Sequence, residues 1–209
     1  MLLFVTIVLV TTVNAIYATD SIAMKYYMEG SVYLSRNSLD SALISFNNAI
    51  AHDSSYTIAY NNRGIVYYKQ GQIDKSIIDY TKSIQLNPNN SRAYLNRGLA
   101  YNQMGAINKA IADYTKAIEL DTLYGKAYYI RGLAYQQKQE LDNTVADFKK
   151  ALSLSPKDAK VMVELALVYE QQKKNEKAIY WLNKAWVNKD RLNDKGDSMV
   201  QQELRKLQK

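Results

Sequence analysis

Few side chains in this 209-residue sequence could act as nucleophile, base or metal ligand. Cysteine is absent, which excludes disulfides, thiol catalysis and thiolate metal sites. The single histidine, His52, has no second imidazole or carboxylate at ligand spacing and reads as a surface or helix-end residue. No nucleophile stands beside a base and no phosphate-binding loop is visible, so catalysis, a metal and a cofactor are not expected. The chemistry that is patterned is electrostatic. Arg63, Arg97 and Arg131 recur at one interval, and Asp79, Asp113 and Asp147 follow them at another. A guanidinium can hold a carboxylate through two parallel hydrogen bonds, so these pairs read as a partly buried ladder bracing neighbouring helices. The alternative is that the arginines face a groove and bind ligand carboxylates. Glu29 with Ser45, and Leu165 with Trp181, fill the same two places at the ends of the series, so both places change together.

The elements that would position these residues follow from the interval, which is 34 residues. At that period Gly30, Gly64, Gly98, Gly132 and Ala166 fall in one column, and Tyr33, Tyr67, Tyr101, Tyr135 and Tyr169 in another. Small residues alternate with Phe46, Tyr80, Tyr114, Phe148 and Leu182 further on. Two prolines and eight glycines argue against a turn-rich β fold and for long helices. Each unit reads as two helices. Asn37, Gly71 and Gly105 suit the left-handed residue that ends the first helix, while Gln139 and Lys173 in that column do not. Asp40, Asp74, Asn108, Asp142 and Glu176 are expected to start the second helix, Glu176 being the poorest cap. The tyrosine column could suggest a stacking platform for nucleic acid, but residues repeated in every unit are more simply packing between helices.

The aromatic, Gly, Tyr, small, aromatic, small and Pro positions resemble the tetratricopeptide-repeat family. The resemblance covers five units in phase, 23–56, 57–90, 91–124, 125–158 and 159–192, with arginine replacing the family's usual leucine before the glycine in three of them. It implies an all-α, right-handed superhelical solenoid of helix pairs, non-enzymatic, whose concave face holds a protein or peptide segment. Mapped onto this chain, the groove-facing residues are Asn61, Asn62, Ile65 and Tyr68 in unit two, and Arg92, Leu95, Asn96 and Leu99 in unit three. Unit four supplies Lys126, Tyr129 and Ile130, and unit five Lys160. Asparagine amides can pair with an extended backbone, and Arg92, Lys126 and Lys160 at one edge would suit an acidic segment. The carboxylate clamp of one family variant is not expected, since Asn61, Ile65 and Ile130 stand where it needs Lys, Asn and Arg.

The two ends differ from the array. Met1 to Thr19 carries no charged side chain, and Val13-Asn14-Ala15 suits a signal peptidase. Residues 1–18 therefore read as a secretory signal, with an uncleaved membrane anchor as the alternative and a buried helix as a third option. The first two place the protein outside the cytoplasm, periplasmic or secreted, or held at a membrane. Residues 193–209 read as a capping helix that starts at Ser198 and lays Met199, Val200, Leu204 and Leu207 on the last unit. The net charge of +7 is spread without a basic cluster, so nucleic acid is not an expected partner. The function that follows is a scaffold that binds an extended segment to assemble or retain a complex. A self-associating structural subunit of an envelope complex, forming homo-oligomers, is the alternative.

Overall fold

The computed structural model describes residues 22–188 and 194–207. The expected signal or anchor at 1–18 lies outside the described residues. All regular structure among the described residues is helical, and the chain divides into two compact units at Met104/Gly105. The first contains α1 (22–35), α2 (Leu39–His52), α3 (Thr57–Lys69), α4 (Ile73–Leu86) and α5 (Ser91–Gln103). The second contains α6 (Ile107–Leu120), α7 (Gly125–Gln137), α8 (Leu141–Leu154), α9 (Ala159–Gln171), α10 (Asn175–Val187) and α11 (Asp194–Leu207). In each, consecutive helices pack as neighbours, as an all-α helical-repeat fold requires.

The repeated glycines mark where two helices meet most closely. A methyl group on Gly64 would lie 2.6 Å from the Tyr80 ring, and one on Gly30 or Gly132 would lie 2.7 Å from Phe46 or Phe148. Only a glycine admits the aromatic ring of the following helix at these places. The ring buried there is worth about 1.5–3 kcal/mol in apolar transfer. In the second unit this packing extends into a cluster that includes Phe148, Leu152, Leu165, Val168 and Leu182, closed by Val200 of α11.

Turn chemistry holds the hairpins at their spacing. Within a pair, the first helix ends in a left-handed residue: Asn37, Gly71, Gly105, Gln139 and Lys173 all have φ between 57° and 76°. The carbonyls of Tyr33, Tyr67, Tyr135 and Tyr169 accept the amides of Ser38, Gln72, Glu140 and Lys174 at 2.8–2.9 Å, which closes a Schellman turn. Gln139 and Lys173 thus adopt the same turn as the glycines, because the hydrogen bonds and flanking packing outweigh their local preference. Between pairs, Asp53, Asn87 and Asp121 accept the amide two residues on, at 2.8–3.0 Å.

The starts of the second helices and of the last helix differ from expectation. The second helices begin at Leu39, Ile73, Ile107, Leu141 and Asn175, so Asp40, Asp74, Asn108, Asp142 and Glu176 sit one residue inside the helix and make no cap bond. Asp40 and Asp142 instead accept the side-chain amides of Gln70 and Gln172 at 3.0 and 2.9 Å. The carboxylates still favour the helix dipole. The last helix begins at Asp194 rather than Ser198, which lies in its second turn. It starts 35 residues after α9 does, and so stands in sequence where a further first helix would begin.

Gln139→Gly and Lys173→Gly should each raise stability in urea unfolding by about 1 kcal/mol, the cost of a left-handed L-residue. Gly71→Ala, made as the opposite change, should lower it by a similar amount.

Candidate functional site

The direction taken by the repeated arginines decides what is left for a ligand. Arg63 Nε and Nη2 donate to Asp79 at 2.7 Å each, and Arg131 makes the same two bonds to Asp147 at 2.8 Å. The remaining Nη1 donates to the preceding second helix: Arg63 to Asn47 at 2.8 Å, Arg97 to Thr81 at 3.1 Å and Arg131 to Thr115 at 3.0 Å. Each guanidinium also lies between two tyrosines of its own helix. Tyr60 and Tyr67 flank Arg63, Tyr94 and Tyr101 flank Arg97, and Tyr128 and Tyr135 flank Arg131, all at 5.4–5.9 Å. Burial disfavours the Arg63 charge, and the hydrogen bonds and field of Asp79 outweigh it, so its pKa stays above the ordinary value. Arg63 and Arg131 therefore clasp helices together, as the ladder reading expects; of the tyrosine column, Tyr67, Tyr101 and Tyr135 are half-buried beside the arginines, Tyr169 is buried in the core, and Tyr33 is exposed. His52 ends α2, exposed, with its ring stacked on Tyr26 at 5.5 Å.

In the first unit the opposite side of the first helices carries a chain of amides. Asn96 donates to Asn61 at 3.0 Å, Asn61 to Asn62 at 3.2 Å, and Asn62 to the Tyr27 hydroxyl at 3.5 Å, which links α5, α3 and α1. Asn61 is 7% exposed and Leu95 only 1%, so these two groove candidates are largely committed to packing. Asn62, Asn96, Ile65, Leu99 and Tyr68 are half-buried, and Arg92 is exposed. Beside the chain lies a pocket of about 490 Å³ lined by Tyr27, Ile58, Asn61, Asn62, the α4–α5 turn (Asn87, Asn89, Asn90), Ser91 and Arg92. The turn residues were not anticipated. Their signal was the run of asparagines around Pro88, which reads equally well as a plain turn.

In the second unit the corresponding turn, Ser155-Pro156-Lys157-Asp158, lines a hollow of about 620 Å³. Its first-helix face brings together Tyr129, Lys160 and Glu164. Lys160 Nζ lies 5.5 Å from the centre of the Tyr129 ring, so this lysine covers an aromatic face as well as offering charge. Burial lifts the Tyr129 hydroxyl to a pKa of about 12, with Glu164 and Asp158 adding to the shift. Burial also raises the Glu164 carboxyl, opposed by Lys160. Ile130 is half-buried and Lys126 exposed. Glu164 lies one helical turn after Lys160, and its environment has no signature in that spacing.

A carboxyl held above its ordinary pKa destabilises the fold when ionised. Its contribution is intact below the ordinary carboxylate value and is lost as pH rises through the raised one. Glu164→Gln should therefore unfold at higher urea than the parent at neutral pH, with the gap closing below about pH 4. Urea unfolding of both proteins at the two pH values measures this difference.

Among the described residues no group of three metal-ligating side chains occurs, and no helix is long and apolar enough to cross a membrane.

Comparison with known proteins agrees with this architecture. The tetratricopeptide-repeat profile matches residues 57–90 and 91–121, and a second TPR-repeat profile matches 30–71. A profile described as regulator of microtubule dynamics protein 1-3 matches residues 133–209. No curated protein sequence matches the chain. Similar solved structures include pilF of Pseudomonas aeruginosa, 19% identical over 91% of this chain and 93% of that one, with a TM-score of 0.75. MamA from Desulfovibrio magneticus RS-1 is 20% identical over 82% and 97%, with a TM-score of 0.73. YrrB, described as a TPR protein with an unusual peptide-binding site, is 20% identical over 91% and 97%, with a TM-score of 0.70. At these identities the likeness establishes the fold. The family is carried by the repeat profiles, which identify this chain as a tetratricopeptide-repeat protein through residues 30–121.

Proposed function

We propose that this protein is a non-catalytic scaffold that holds an extended segment of another protein against its first-helix faces. The observation that carries the reading is the amide-lined pocket of the first unit, with Arg92 exposed at its wall. Primary amides offer a donor and an acceptor to a peptide backbone, and the adjacent aliphatic side chains offer apolar contact. Asn61, Asn62 and Asn96 already bond to one another, so a bound backbone exchanges into an existing network instead of filling empty valences. Arg92 in the first unit, and Lys126 in the second, favour an acidic segment. The arrangement suits a protein that assembles or retains a complex, and the family's membership of binding modules supports it. The uncharged, apolar run before residue 20 supports a site of action outside the cytoplasm or at a membrane face.

An array of extended peptides of graded acidity tests the reading. Acidic peptides should be retained, and retention should weaken with salt. Arg92→Glu should reduce it about tenfold without altering the melting transition. Retention that ignores peptide charge, and that survives both Arg92→Glu and Asn62→Ala, would remove this function.

A further inference from the structure

The first helix presents a face that the later repeats cover. In α3, α5, α7 and α9, Val66, Ala100, Ala134 and Val168 are at most 1% exposed, while their counterpart in α1, Val32, is 47% exposed. Met28 and Tyr33 beside it are exposed as well, and together with Glu29 and Arg36 they line a hollow of about 350 Å³. Glu29 also stands at the place where Arg63 and Arg131 reach back to the preceding second helix. No ion pair engages Glu29 or Arg36 among the described residues.

This face is self-complementary. It carries an acid at 29, an apolar pair at 32 and 33, and a base at 36, a palindrome of charge about its centre. We propose that two copies of the chain pack through it, with their α1 helices antiparallel about a two-fold axis beside Val32 and Tyr33. Glu29 of each copy then meets Arg36 of the other, and the Val32 and Tyr33 side chains fill the centre. A like-residue contact of this kind is isologous and closes at two copies. The hollow on α11 is polar by contrast, lined by Ser198, Gln201, Gln202, Arg205 and Lys206. An exposed apolar strip bracketed by opposite charges is an interaction surface in chemistry as well as in exposure.

The full chain, in mild detergent at micromolar concentration, should sediment as a dimer. Val32→Asp should raise the dissociation constant about thirtyfold or more while leaving the melting transition in place. Glu29→Arg and Arg36→Glu should each give monomers, and an equimolar mixture of the two should restore a dimer, because both cross-contacts then pair opposite charges. A benzophenone side chain at Met28 should cross-link to α1 of a second copy, giving a product of doubled mass. A monomeric parent chain would overturn the proposal, as would a dimer indifferent to Val32→Asp or a mixture that fails to recover. A cross-link to residues 1–21 of the same chain would assign the face to that segment and end the proposal equally.

Discussion

Arg63 and Arg131 each hold three helices at once. Two nitrogens take a buried aspartate of the following helix, the third takes a side chain of the preceding one, and two tyrosines of the arginine's own helix cover the faces of the guanidinium. A charge pair out of water contributes only when its geometry is complete, and here all three guanidinium nitrogens are hydrogen-bonded. The glycine column sets the other half of the constraint. It lets an aromatic ring reach the backbone of the first helix, so α4 and α8 are each placed by shape at one residue and by charge at the residue before it. With these contacts made on one side of the first helix, part of its opposite side, including Asn62, Asn96 and the exposed Arg92, is not buried in the core. Those residues are what the protein has left for binding.

The ends of the series follow from the same interaction. Leu165, fully buried, replaces the arginine in α9, and Trp181 replaces the aspartate and packs against the same cluster. Apolar residues take over both roles together, as an ion pair exchanged for a well-packed apolar pair requires. α11 then closes the cluster through Val200 and reaches α9 through the Lys206–Glu170 ion pair. At the other end Glu29 and Ser45 abandon the pair without an apolar substitute, and the helix face beside Glu29 is exposed.

Much of this architecture is legible in the sequence because its constraints are periodic. Gly64 beneath Tyr80, or Arg63 beside Asp79, is one of several equivalent pairs, and repetition separates their signal from chance. Features that occur once are harder to read. The mapping sets Leu95 in the groove, yet it is buried, as its counterparts Asn61 and Val163 are, and Asn61 is drawn inward by Asn62 and Asn96. The helix starts at Leu39, Ile73 and Ile107 precede the acidic or amide residues that would ordinarily mark them, because apolar packing at the first helical position outweighs a capping bond. Ser198 misleads for the opposite reason: its spacing is that of a cap, but α11 has already begun. The raised pKa of Glu164 depends on burial by neighbouring residues and has no signature in its spacing.

Equilibrium unfolding of Arg131→Leu, beside the double variant Arg131→Leu/Asp147→Leu, tests the clasp most directly. Leaving Asp147 buried without its partner should cost about 3–5 kcal/mol, and removing both charges should recover most of that loss, as the Leu165 and Trp181 exchange implies. A single variant that unfolds with its parent would show that the arginine column does not hold the helices together, and a double variant that falls as far as the single would contradict the exchange of the pair for apolar packing.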